Sequence, residues 1–207
     1  MPNSAGILPA VSRACPEFVE GASRPRRGGR GRPPDSRWDG GATTHRRIQR
    51  VSEASRIADQ LRRAFDGSAW HGPALLELLE DVNAATAAAK PLRNVHSIWE
   101  LTMHIAAWDG AVLRRLAGEK LQLSGSQNFP RVEKPRESAW RKSVADLKRT
   151  HDTLVKTVAA LPDSRLWDRV PGKRYTFYFM LHGVTQHELY HAGQIAILKK
   201  ALSTTRR

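Results

Sequence analysis

The sequence predicts an all-α protein, a four-helix bundle, on three observations. Apolar residues recur at the helical period of about 3.6 residues in four segments between residues 56 and 202. Each segment is bounded by helix caps or by breakers. Nothing alternates with a period of two for long enough to require a sheet. Four long helical segments with three connections suggest a bundle.

The first segment carries Ile57, Leu61, Ala64 and Phe65 on one face and stops near Asp66-Gly67. Trp70-His71-Gly72-Pro73 interrupts the pattern, with Pro73 suited to a helical first turn. Leu76, Leu78, Leu79 and Val82 resume it, and Ala84 to Ala89 favours helix by propensity. One broken helix or two short ones would satisfy this stretch, and Pro91 ends it.

The second segment has the clearest start in the chain, because Ser97 followed by Glu100 forms a capping box. Ile98, Leu101, Ile105, Trp108 and Val112 line its face, and Leu113 and Leu116 extend it toward Gly118. The loop from about Gly118 to Lys134 is rich in Gly, Ser, Asn and Pro, and is long enough to cover a site or to be mobile. The third segment runs from about Glu137 to Ala160. Its buried stripe is Trp140, Val144, Leu147, His151, Leu154, Val158 and Leu161, and Pro162 closes it. Asp168 to Arg174 reads as a turn with Pro171-Gly172 at its tip. The fourth segment spans about Thr176 to Leu202. Tyr175 to Phe179 has strand composition, but it runs without a breaker into the helix.

The chain has 207 residues, of which 40% are apolar, and these suffice for one core once a polar tail is set aside. Residues 1–50 are expected to form a disordered, basic Arg/Gly/Pro-rich tail, and residues 51–203 the bundle. An RNA-contacting arm and a start codon placed too far upstream are the other readings of that tail. No run of eighteen apolar residues suggests a membrane span. The apolar stretch Ile7 to Val11 is too short for a signal peptide, so a cytoplasmic location is expected. Cys15 is the single cysteine, which excludes an internal disulfide and a cysteine-rich zinc site. The formal charge is +14, with +6 in residues 1–50 and +8 in the remainder. The positive charge of the second part is scattered, with no basic helix interleaved with aromatics, so specific nucleic-acid binding is not expected.

Histidines carry the chemistry. Gln186-His187-Glu188-Leu189-Tyr190-His191 places His187 and His191 four residues apart, on one helical face, where two imidazoles can meet at a common point. Met180, Val184, Ile195 and Leu198 share or flank that face, so it turns inward. His104 lies mid-helix between Leu101 and Trp108, with the small Ala107 and Ala111 on its side. His104, His187 and His191 together match a divalent-metal site of three protein ligands with positions left open. His96 and His151 could line the same cavity. His182, five residues before His187, is rotated away and reads as a supporting or structural residue, and His71 reads as a structural corner.

His187-Glu188-Leu189-Tyr190-His191 also fits the metallopeptidase pattern H-E-x-x-H. That reading lacks a cleft-edge strand, and no histidine follows His191. Glu188 is then expected to be solvated, or to support a ligand at the bundle edge. Gly183 and Gly193 are unusual inside a helix and would fit close helix contact or room beside a metal.

With these residues assembled, the chain resembles the DinB-like (DinB/YfiT) superfamily. The match is carried by His96-Ser97-Ile98-Trp99-Glu100-Leu101-Thr102-Met103-His104-Ile105-Ala106-Ala107-Trp108 and by the segment Leu181 to Ala196, with Trp70-His71-Gly72-Pro73 in support. It covers roughly residues 54–203. The resemblance implies an up-down-down-up four-helix bundle whose three metal-binding histidines correspond to His104, His187 and His191. It implies zinc or nickel as the cofactor, with manganese or iron as further candidates. Homodimers, and thiol-dependent transferases or isomerases acting with low-molecular-weight thiols, occur among such proteins. Two functions follow as expectations: a metal-dependent enzyme, thiol-dependent transferase or hydrolase-like, with an open three-histidine site; or a non-catalytic metal-binding or stress-response module whose metal is structural.

Overall fold

The computed structural model describes residues 51–204; the segment expected to be a basic tail lies outside the described residues. Four long helices dominate: α1 (Glu53–Asp66), α4 (Ile98–Leu116), α6 (Glu137–Ala159) and α7 (Phe177–Thr204). Three short ones join them: α2 (Leu75–Leu79), α3 (Ala84–Ala88) and α5 (Gly125–Asn128). A 3-10 turn, Asp163–Trp167, follows α6. The described residues contain no strand, only an isolated bridge between Arg169 and Thr176 that closes the turn around Gly172. No described helix is long and apolar enough to cross a membrane.

Local chemistry sets the helix ends. Ser52 accepts from the Ser55 N–H, and α1 stops at Gly67, whose φ of +126° few other residues adopt. The break at Trp70–Pro73 is followed by two short helices rather than one. Asn83 caps α3 through the Thr86 N–H, and Glu137 at the start of α6 accepts from the Ala84 N–H at 2.9 Å. At Ser97 the capping box is complete, with Glu100 returning to the Ser97 N–H at 2.8 Å. Asp163 accepts from the N–H groups of Glu53 and Ala54, both at 3.0 Å, and so anchors the start of α1 to the 3-10 turn.

Helices α1 and α4 each pack against both α6 and α7, which puts α1 across the bundle from α4 and α6 across from α7. The apolar interior forms two clusters. One gathers Phe65, Ile98, Ile105, Trp140, Leu147 and Ile195; the other gathers Leu61, Val112, Leu154, Phe177, Leu181 and Val184. On three helices the boundary between the clusters falls at a buried polar residue. Asp109 separates Ile105 from Val112, His151 separates Leu147 from Leu154, and Glu188 separates Val184 from Ala192. Glycines 183 and 193 are not explained by close helix contact, since a Cβ at either would meet nothing within 4 Å.

Candidate metal centre

The fold brings together the three histidines that the spacing singles out. His104 projects from the middle of α4, and His187 and His191 from successive turns of α7. The Nε2 atoms of His104 and His187 are 2.9 Å apart, and those of His191 and His187 are 3.1 Å apart. Ligand nitrogens held about 2.0–2.1 Å from one ion stand roughly 3 Å from one another, so both separations have the size that such an ion needs, and the three rings offer ligand atoms that all lie within 4.8 Å of one another.

The surroundings fix which nitrogens carry protons. The Nδ1–H of His104 donates to the main-chain carbonyl oxygen of Asn128 at 2.7 Å, and that of His191 donates to Gln194 Oε1 at 2.7 Å. With Nδ1 protonated, each neutral ring turns a bare Nε2 lone pair toward His187. Burial pushes the pKa of His104 down to about 4 and that of His187 down to about 2, and neighbouring imidazoles of the triad add to both shifts. Burial also lowers His191. All three rings are therefore neutral near pH 7. A single Nε2–H on His187 cannot serve two bare nitrogens, and His187 Nδ1 is buried without a hydrogen-bond partner. An apolar pocket gains nothing from three converging Nε2 atoms with one proton too few, whereas a cation would take the Nε2 lone pair of each ring, His187 then carrying its hydrogen on Nδ1. The residues present fit a divalent ion.

The long loop after α4 covers this site. Its helix α5 delivers Asn128, whose Oδ1 accepts from the Trp108 indole N–H at 2.8 Å while its main-chain oxygen holds His104. Phe129 then stacks on His104, with ring centroids 4.0 Å apart, and His96 stacks on the other face of Phe129 at 3.8 Å. Tyr190 lies beside His191 and is 61% exposed at the rim. His96 thus packs on Phe129 rather than joining the triad.

Two other histidines fall elsewhere. His182 lies against Tyr178, with ring centroids 4.5 Å apart. His71 lines a groove of about 520 Å³ with Pro73, Leu78, Gly193 and Lys199; none of the triad lines it, so this groove is not the metal site.

Glu188 corrects the sequence expectation. It is neither solvated nor a support for a triad ligand. It is fully buried, and the His151 Nδ1–H donates to its Oε1 at 2.9 Å. The metallopeptidase reading needs Glu188 beside the ion-bound water, and here it is engaged with α6. Asp109 Oδ2 lies 3.4 Å from the same His151 nitrogen. The sequence reading misses Asp109 altogether. Its signal is its position four residues after Ile105 and three before Val112, on the buried stripe of α4.

Fold and site together define an all-α bundle that carries a three-imidazole, metal-compatible centre between two of its helices. The DinB superfamily model matches residues 69–195, well over half of the chain, and the chain belongs to that superfamily. No curated protein and no solved structure matches it.

Proposed function

We propose that the chain holds one divalent first-row metal ion on His104, His187 and His191 and is a metal-dependent enzyme acting on a small molecule. The observation that supports this most is the trio of Nε2 atoms, two of them held as bare lone pairs by Asn128 and Gln194. The ion would supply Lewis acidity toward water or a low-molecular-weight thiol, the chemistry of a hydrolase-like or thiol-dependent transferase reaction. Imidazole donors suit zinc and nickel first, with iron or manganese as weaker candidates. Among the described residues no fourth His, Cys, Asp or Glu joins the triad, which favours open coordination positions over a closed structural site. The chain's own residues would hold and orient the ion, while Phe129 and Trp108 wall the site with aromatic surface and exclude water from one side.

The second reading is a non-catalytic module with a structural metal. It draws on the stacking of Phe129 over the fully buried His104. Elemental analysis of the full chain purified without chelator tests the shared premise, and the expected result is zinc or nickel near one per chain. Less than about 0.2 ion per chain, with no uptake of added zinc or nickel, would contradict it. Turnover by the loaded chain in a screen of thiols and electrophilic acceptors then separates the enzyme from the module.

A further inference from the structure

We infer that Asp109, His151 and Glu188 form a second, fully enclosed cation site in the middle of the bundle, distinct from the histidine triad and suited to a divalent ion that prefers oxygen donors, such as manganese.

The three side chains come from α4, α6 and α7, and each offers a donor atom within 4.8 Å of the other two. Asp109 and Glu188 are 0% exposed and His151 is 1% exposed. They sit where the two apolar clusters of the core meet, and Phe65 of α1 stacks on the His151 ring at 3.7 Å. Bundle cores commonly place metals this way, on carboxylates and histidines that face inward from neighbouring helices.

The hydrogen-bond inventory points to a cation. His151 Nδ1 carries at most one hydrogen, and that hydrogen goes to Glu188 Oε1 at 2.9 Å. Both oxygens of Asp109 and the second oxygen of Glu188 are buried with no hydrogen-bond partner. His151 Nε2 has none either. With both carboxylates ionised and the imidazole neutral, the cluster carries two negative charges and no cationic side chain. One divalent ion balances that charge and satisfies oxygens of both acids. Protons could balance it instead, by making His151 an imidazolium and one acid neutral. One acid hydrogen can engage only two of the three unpartnered carboxylate oxygens, so that arrangement still leaves an oxygen buried and unsatisfied. With an ion bound, His151 would carry its hydrogen on Nε2 and turn the Nδ1 lone pair to the metal, and the separations of 2.9 and 3.4 Å from Nδ1 to the two acids match those of donors about 2.1 Å from a shared ion. Two carboxylates and one imidazole are a harder donor set than three imidazoles, so the two sites should differ in preference.

The test uses the full chain with His104, His187 and His191 all replaced by alanine, so that only the enclosed cluster remains. It is expressed in manganese-supplemented medium, which makes the ion available while the core forms, and is then dialysed without chelator. Elemental analysis should find close to one manganese per chain, and chelator added on warming should lower the thermal midpoint. Adding Asp109→Asn and Glu188→Gln should abolish both effects. Should those two variants fail to fold, the triad-free chain still decides the matter by its metal content. Less than about 0.2 manganese per chain, or a content unchanged by Asp109→Asn and Glu188→Gln, overturns the inference and leaves a proton-balanced cluster. Metal retained by the parent but lost with the triad would overturn this inference alone and leave the triad proposal intact.

Discussion

His104 of α4 donates its Nδ1–H to the main-chain oxygen of Asn128, 24 residues later and 2.7 Å away. One contact thus fixes the tautomer of a proposed ligand and pins the covering loop over it. Gln194 does the same for His191 from within α7. Partners of this kind typically contribute about 10–100-fold to metal affinity. Gln194→Leu is expected to weaken zinc or nickel binding within that range. Asn128→Ala keeps the carbonyl but removes the Trp108 anchor, so it should fall near the lower end. Competition with a chromophoric chelator reads both. Affinities within about twofold of the parent for both variants would show that neither residue orients its ring.

His151 makes the metal-free chain sensitive to alkaline pH. Burial alone would lower its pKa, but the carboxylates of Asp109 on α4 and Glu188 on α7 outweigh burial and hold it at about 9. Phe65 on α1 brings no charge. The ordinary value in an unfolded chain is about 6.5. The folded state therefore binds the proton more tightly than the unfolded one. The resulting stability is fully present below about pH 6.5 and is lost as pH rises through 9. His151's own contribution to the slope cannot exceed one proton, ~1.4 kcal/mol per pH unit, and Glu188, which burial and the neighbouring Asp109 charge push up to about 8, adds a loss of the same sign. With chelator present, the thermal midpoint should fall between pH 7 and 9, and Asp109→Asn should flatten that decline. A midpoint constant across this range in the parent would contradict the assignment.

Ser97 is 1% exposed and accepts from the Glu100 N–H at 3.2 Å. Ser97→Ala removes half of the capping box at the start of the helix that carries His104. It should cost about 1 kcal/mol and lower the midpoint by about 3 °C in a domain of this size. Differential scanning calorimetry checks this. No shift would mean that tertiary packing alone holds the start of α4.

The triad could be read from the sequence because its cues are local. An i,i+4 histidine pair needs only helix geometry, and His104 stands out as a polar residue in an apolar stretch. Ser97 and Glu100 announce α4 for the same reason. The Gly118–Lys134 loop was long enough to suggest a cover, but that Asn128 and Phe129 would reach His104 depends on tertiary placement. The polar layer was not legible. His151 falls on the stripe of α6, yet its partners lie 42 residues before it and 37 after. Glu188 looks exposed beside a ligand because a single buried face is assumed for α7. In fact α7 meets both α1 and α4, so Val184, Glu188 and Ala192 face inward as well. The 3-10 turn at Asp163–Trp167 has no apolar period to betray it; its anchor to α1 is a tertiary contact.

The central claim is that His104, His187 and His191 hold the same ion, and calorimetric titration of metal-free variants with zinc tests it most directly. At fixed pH, His104→Ala, His187→Ala and His191→Ala should each weaken binding severely, by more than the roughly 10–100-fold expected for loss of a supporting contact. His182→Ala should do so only mildly, since that ring lies against Tyr178. If His104→Ala instead binds zinc as tightly as the parent chain, the three-histidine site is contradicted.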